Sequence, residues 1–320
     1  MKIAAAIACQ AVAIALTWPA PARADEYPTR PIHVLLGFGS GGPTDVLARS
    51  LANGLSAELG QNVVVENRTG ASGNIATQAV AGADPDGYTL LVGANPLAVN
   101  ETLFPDFPVK FGRDIVAVAP IGATANVLVV RPSLKVRTIG EFAALARARA
   151  DAVSYATVGV GSSSHLAGLA FDRQAGSKML PVGYRGGGEA LKDLLGGQVD
   201  AWFATIPSVL GAIAAGELVA LATTGPQRVA SLPTVPTMAE SGFPGFDMRL
   251  WVGVFERAGV PPERNSVIER AIARAMASRN MQVALERQGI TPLPMNRSEF
   301  NAFVAGEVTR WREMAPALKK

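Results

Sequence analysis

The sequence predicts an α/β protein built as two lobes joined by two strands. Three observations carry that reading. Short β-rich runs alternate with longer amphipathic helical patterns. Glycine-rich turns stand where strands pass into helices. Two apolar strands, near residues 126–131 and 248–255, cross the middle of the chain with no flexible linker beside them.

In chain order, Ile32–Leu36 reads as a buried strand, and a glycine-rich turn leads into a helix from Thr44 to Leu59, stopped by Gly60. Val63–Val65 is a second strand, Asn74–Ala83 a second helix, Asp84–Gly87 a turn and Tyr88–Val92 a third strand. This β-loop-α repetition predicts a parallel, doubly wound sheet. Ile115–Ile121 and Val127–Val130 read as separate strands. Thr138–Ala150 is a helix, with Thr138 as N-cap and Glu141 at the capping-box position. Val153–Thr157 is a strand and Ser164–Ala175 a helix; Met179–Val182, Val199–Ala204 and Leu218–Ala222 are strands flanked by helices. Met248–Phe255 is strand-like, and helices at Pro262–Ala277 and Ser298–Met314 close the chain. Trp202 and Trp251 fall in strands and read as core or cleft-wall aromatics.

Residues 1–24 have the pattern of an export leader: Lys2, an apolar run from Ile3 to Leu16, and Ala22-Arg23-Ala24 before acidic Asp25-Glu26. Cleavage after Ala24 is expected. Removing the leader takes two of 29 basic residues and the single cysteine, Cys9. The remaining 27 bases and 26 acids give a net charge of +1, so the basic balance of the full chain is no argument for nucleic-acid binding. A cysteine-free exported chain suits an oxidising compartment. No later stretch is apolar for long enough to span a bilayer.

The first turn, Gly37-Phe38-Gly39-Ser40-Gly41-Gly42, fits G-x-G-x-x-G, and Glu66 stands 24 residues after Gly42. That is the template of a dinucleotide fold, and a nicotinamide-dependent oxidoreductase is the alternative it supports. Its physics is broader. Glycines bring backbone N–H groups close to a ligand, and the helix start adds partial positive charge. A carboxylate is held as well as a phosphate. Export argues against the dinucleotide, and Asp45 in the first helical turn would oppose a pyrophosphate; Asp45 reads as a loop brace. The second turn, Gly159 to His165, offers three hydroxyls and amides at another helix start. A third, Tyr184-Arg185-Gly186-Gly187-Gly188, offers a cation. Ser163 and His165 raise a Ser/His hydrolase as a second alternative, but no G-x-S-x-G elbow occurs. With His33 and His165 the only histidines and no cysteine after the leader, no His/Cys metal cluster is expected.

Taken in order, these residues resemble the Bug-type (TctC-like) solute-binding receptors associated with tripartite tricarboxylate transporters. The resemblance starts at Tyr27-Pro28-Thr29-Arg30-Pro31-Ile32 and continues through Gly41-Gly42 with Asp45, Val63-Val64-Val65-Glu66-Asn67-Arg68 and Gly73-Asn74-Ile75. It then takes in Pro85-Asp86-Gly87-Tyr88-Thr89-Leu90, Gly161-Ser162 with His165-Leu166-Ala167, and Leu232-Pro233-Thr234-Val235-Pro236. The chain departs from the family where Leu169 stands in place of an acid and Pro181-Val182-Gly183-Tyr184 in place of His-Val-Pro-Tyr.

The resemblance implies a type II periplasmic-binding-protein-like (Venus flytrap) fold. Lobe one would take residues 25–125 and 248–320, and lobe two residues 126–247. It implies a monomeric periplasmic protein without catalytic activity or cofactor that captures a small carboxylate in the interlobe cleft. Partners would be two membrane subunits, or a sensor protein. Ligand contacts carry over to Phe38, Gly39, Ser40, Gly41, Gly42, Thr44 and Asp45, and to Gly161, Ser162, Ser163 and His165. Asn95, Pro96, Ala204 and Thr205 are expected at the cleft, with Tyr184 and Arg185 from the third turn.

Overall fold

The computed structural model describes residues 27–318, with side chains to Met314; the expected leader and its cleavage after Ala24 lie outside the described residues. The first lobe is built on β1 (Ile32–Leu36), β2 (Val63–Asn67) and β3 (Thr89–Ala94), which are parallel in the order β2-β1-β3. The helices α1 (Pro43–Leu59), α2 (Asn74–Ala81) and α3 (Pro96–Leu103) follow them in turn. The strands alternate faces with period two. Ile32, Val34 and Leu36 pack against α1, whereas Leu35 joins the core under α2 and α3.

Strand β4 (Ile115–Val130) runs through both lobes. The sequence predicted two strands here, and the structure makes them one, 16 residues long. Pro120 and Gly122, which interrupt the apolar pattern, sit at a bulge where the register shifts. Up to Ala125 the strand pairs antiparallel with β9 (Arg249–Arg257); from Asn126 it pairs with β7 (Ala201–Thr205) and β8 (Val219–Thr223).

The second lobe adds α4 (Ile139–Ala148), β5 (Ser154–Thr157), α5 (Ser163–Ala175), β6 (Leu180–Gly183), α6 (Gly187–Leu195) and α7 (Ile206–Ala214). Thr138 caps α4 as expected, accepting the Glu141 N–H at 3.2 Å, while Glu141 Oε2 takes the N–H of Arg137, one residue earlier than a capping box requires. Strands β6, β5 and β7 are parallel. Ala201 and Phe203 of β7 face a core with Tyr155 and Phe171, whereas Trp202 and Ala204 face α6 and α7.

The sheet is therefore mixed rather than parallel throughout. Strand β9 returns after Met248, whose N–H bonds Thr224 O at 3.0 Å, and inserts antiparallel between β3 and β4. The chain ends in α8 (Pro262–Ala277), α9 (Arg279–Arg287) and α10 (Arg297–Leu318). Neither α3 nor α9 was read from the sequence. Helix α10 belongs to both lobes: Phe300 and Val304 pack in the first, while Trp311 and Met314 pack with Phe171 in the second.

Candidate functional site

Five helices begin at one cleft of about 400 Å³ between the lobes: α1 and α3 from the first, α5, α6 and α7 from the second. The first N–H groups of a helix lack intrahelical acceptors and carry partial positive charge. Here they stay available: the N-cap positions of α1 and α6 are Gly42 and Gly186, and that of α7 is Thr205, none with a side-chain cap. No carboxylate stands among the described lining residues, and their one cation is Arg185. The cleft thus offers backbone donors and one cation rather than a cluster of basic side chains.

The first glycine-rich loop is held in place from beneath. Gly37 lies so close to Gly73 that a Cβ on Gly37 would come within 2.5 Å of the Gly73 Cα. Asp45, 3% exposed, accepts the Gly41 N–H at 2.9 Å, Arg49 Nε at 3.0 Å and Asn67 Nδ2 at 2.8 Å. Burial alone would raise its pKa; the bonds from Arg49, Gly41 and Asn67 outweigh burial and hold it below the ordinary aspartate range. The second loop is tied by its own hydroxyls. Ser162 Oγ donates to Gly159 O at 2.6 Å and accepts the His165 N–H at 3.4 Å. Ser164 Oγ accepts the Val158 N–H at 3.2 Å.

Of the expected site residues, the structure brings Phe38, Gly39, Ser40, Gly41, Gly42 and Thr44 to the cleft from the first loop. Pro96, Ser162, Ser163, Arg185 and Thr205 join them. Six stand elsewhere. Asp45 spends its oxygens on the loop. Asn95 is buried and bonded through Nδ2 to Arg249 O and through Oδ1 to the Trp251 N–H, tying α3 to the start of β9. Gly161 (φ 77°) packs toward Asn100 and Pro96 of α3, closing the seam behind the cleft. His165 turns to a separate rear cavity beside Tyr155 and Met314. Its Nδ1 accepts the Gly161 N–H at 3.2 Å, and burial pushes its pKa down to about 4, so the ring is neutral. Tyr184 faces Asp193; burial, then that carboxylate, pushes its phenol up to about 12. Ala204 is core.

The hydrolase pairing is not formed, since Ser163 Oγ lies 3.5 Å from Asn126 Oδ1 and His165 Nδ1 is taken by Gly161. Glu66, the acid required by a dinucleotide site, is engaged by Arg68 at 2.9 Å and His33 at 2.5 Å, which hold its pKa down.

Sequence reasoning missed Ala94, Val158, Phe203, Ser208 and Leu250 as lining, did not single out Pro43, Ser164, Gly186 and Gly187 within the three turns it identified, and left Trp202 between core and cleft wall. Ser208 had a signal: Thr205 and Ser208 flank a helix start three residues apart, the spacing of an N-terminal cap. Leu250 had none, because only tertiary pairing brings β9 to the cleft.

Two lobes on a shared strand, with uncapped helix starts converging on an acid-free cleft, define a solute-binding receptor. Comparison with known proteins narrows that class. Residues 47–319 match the tripartite tricarboxylate transporter family receptor, and the chain belongs to that family. It is 40% identical over 306 residues to the protein BugT of Bordetella pertussis, covering 94% of each chain. Among solved structures it is similar to MatC from Rhodopseudomonas palustris with bound malate: TM-score 0.81, 31% identity, 90% of this chain and 100% of that one. It is also similar to an R. palustris protein with adipate: TM-score 0.81, 32% identity, 92% of this chain and 98% of that one.

Proposed function

We propose that this receptor works in the periplasm, without catalysis, capturing a small carboxylate in the interlobe cleft and delivering it to the membrane subunits of a tripartite transporter. The observation that carries the reading is the convergence of five helix starts on a cleft whose described lining holds no acid and one arginine. Each hydrogen bond to a charged acceptor contributes roughly 1.5–3 kcal/mol. A handful reaches the roughly 8 kcal/mol of a micromolar complex. The malate and adipate held by two similar proteins support a carboxylate as the ligand class. The leader pattern of residues 1–24, with cleavage after Ala24, supports the location.

Closure is a hinge motion. An acid first meets the amides of one lobe, and the closed state adds those of the other. The division into lobe one (25–125 with 248–320) and lobe two (126–247) belongs to this reading. It is supported by the change of pairing partners at Ala125 and Asn126 and by the return of the chain at Met248. A thermal-shift screen of mono-, di- and tricarboxylates tests the function. The expected result is stabilisation by at least one of them; no stabilisation by any sinks it.

A further inference from the structure

Trp202 lies on β7, 2% exposed, and its ring lines the cleft beneath the starts of α6 and α7. Its Cη2 is 3.3 Å from where a Cβ would stand on Gly187. The indole Nε1–H is buried and has no hydrogen-bond partner among the described residues. Leaving a buried donor unpaired costs roughly 1–3 kcal/mol, and native folds keep few such groups without a reason.

The surroundings point to a ligand as that reason. Thr205 Oγ1 and Ser208 Oγ are bonded to each other at 2.7 Å, which uses one of their two hydroxyl protons and leaves the other to donate. Arg185 is exposed, lines the same cleft, and its guanidinium makes no hydrogen bond or ion pair among the described residues. The uncapped starts of α6 and α7 add partial positive charge. Trp311 is a useful contrast. Its Nε1 is also buried and unpaired, but the cavity it lines measures about 30 Å³, enough for a water and far too small for an organic acid.

We infer that Trp202 determines specificity: its Nε1–H donates to an oxygen of the ligand's second polar group, with Arg185 and the Thr205–Ser208 pair completing that end of the cleft. The inference rests on the proposed function and deepens it. The first carboxylate sits at the starts of α1 and α5, and Trp202 selects acids that carry a second anionic group over acids with an apolar tail. An apolar tail leaves the indole donor unpaired and cannot answer Arg185, so discrimination arises from buried donors left without acceptors.

The test is calorimetric titration of the purified protein and its Trp202→Phe variant with matched acids, such as adipate and hexanoate, which differ in one carboxylate. The expected result is that Trp202→Phe weakens the diacid about 10- to 100-fold, the value of one hydrogen bond to a charged acceptor, and leaves the monoacid within about twofold. An equal change for both acids, or none, overturns the inference. No binding of any mono-, di- or tricarboxylate to the unaltered protein overturns the carboxylate reading itself, and this inference with it. A second readout needs no change at Trp202. In ¹H–¹⁵N spectra, assigned with Trp251→Phe and Trp311→Phe, the Trp202 indole signal shifts with the diacid and stays in place with the monoacid. Identical shifts for the two acids contradict the inference.

Discussion

Asp45 and Asn67 hold each other beneath the first glycine-rich loop. Asn67 Nδ2 reaches Asp45 Oδ1 at 2.8 Å and Phe38 O at 3.0 Å, so one amide fixes both the loop backbone and the acid that braces it. Asp45 shapes the loop and does not itself line the cleft. Asp45→Ala strips acceptors from Gly41, Arg49 and Asn67, and is expected to cost about 2–3 kcal/mol in urea unfolding. The same variant should weaken carboxylate binding severalfold. A variant of full stability with unchanged affinity would remove the bracing role.

Ser162 is the N-cap of α5 and lines the cleft. Aspartate is as good an N-cap as serine, so Ser162→Asp keeps the helix start while placing a negative charge where the anion would lie. Thermal stability should change little, and carboxylate affinity should fall at least about tenfold through like-charge repulsion at short range. Ser162→Ala serves as the neutral control. Equal affinities for the aspartate and alanine variants would move the ligand away from this loop.

The limits of reading this chain from sequence are visible in particular residues. Strands and helices of the βα units were legible because their apolar positions repeat at two or at 3.6 residues, as Ile32, Val34 and Leu36 do on one face of β1. The turns at Gly37–Gly42 and Gly159–His165 were legible because glycine and serine between a strand and a helix supply a tight bend and an N-cap, as Gly41 (φ 83°) and Ser162 do. What failed was non-local. Residues 122–126 read as a gap between two strands because an irregular stretch of one long strand and a turn between two short ones use the same small residues. Asn95 and His165 are polar residues beside a ligand loop, and only tertiary contacts show that their hydrogen bonds turn inward to β9 and to Gly161. Trp202 could be placed on a face, but an unpaired indole N–H is a property of three elements packed together.

Asn95 makes a test of the return crossing. It is 4% exposed and serves both Arg249 O, at 2.9 Å, and the Trp251 N–H, at 3.2 Å. Asn95→Ala leaves a carbonyl and an amide of β9 unpaired where the chain re-enters the first lobe. The expected loss is about 2–4 kcal/mol of unfolding free energy, measured by denaturant titration. A loss below about 0.5 kcal/mol would show that β9 holds its place without this side chain.

Glu256 and His165 should impose opposite pH dependences on stability. Glu256 is 0% exposed on β9, and burial pushes its carboxyl from 4.5 up to about 7, although Arg297 at 2.8 Å draws it back. A raised folded-state pKa means that its contribution to stability is complete below pH about 4.5 and is lost as pH rises to about 7. Burial moves His165 the other way, from 6.5 to about 4. The unfolded chain then takes up its proton first, so the contribution of His165 is complete above pH 6.5 and is lost as pH falls toward 4. Each difference corresponds to roughly 3 kcal/mol at most. Asp45, Glu66, Asp114 and Glu240, whose pKa values are lowered, act at more acidic pH, outside the overlap. Burial also raises the Asp172 carboxyl, which acts in the same direction as Glu256 above pH 3.8, so the comparison is with the unaltered protein. Between pH 4.5 and 6.5, Glu256→Gln should tilt the melting temperature upward with rising pH relative to it, and His165→Gln should tilt it downward. Parallel melting curves for the two variants across that window would show that neither burial matters in solution.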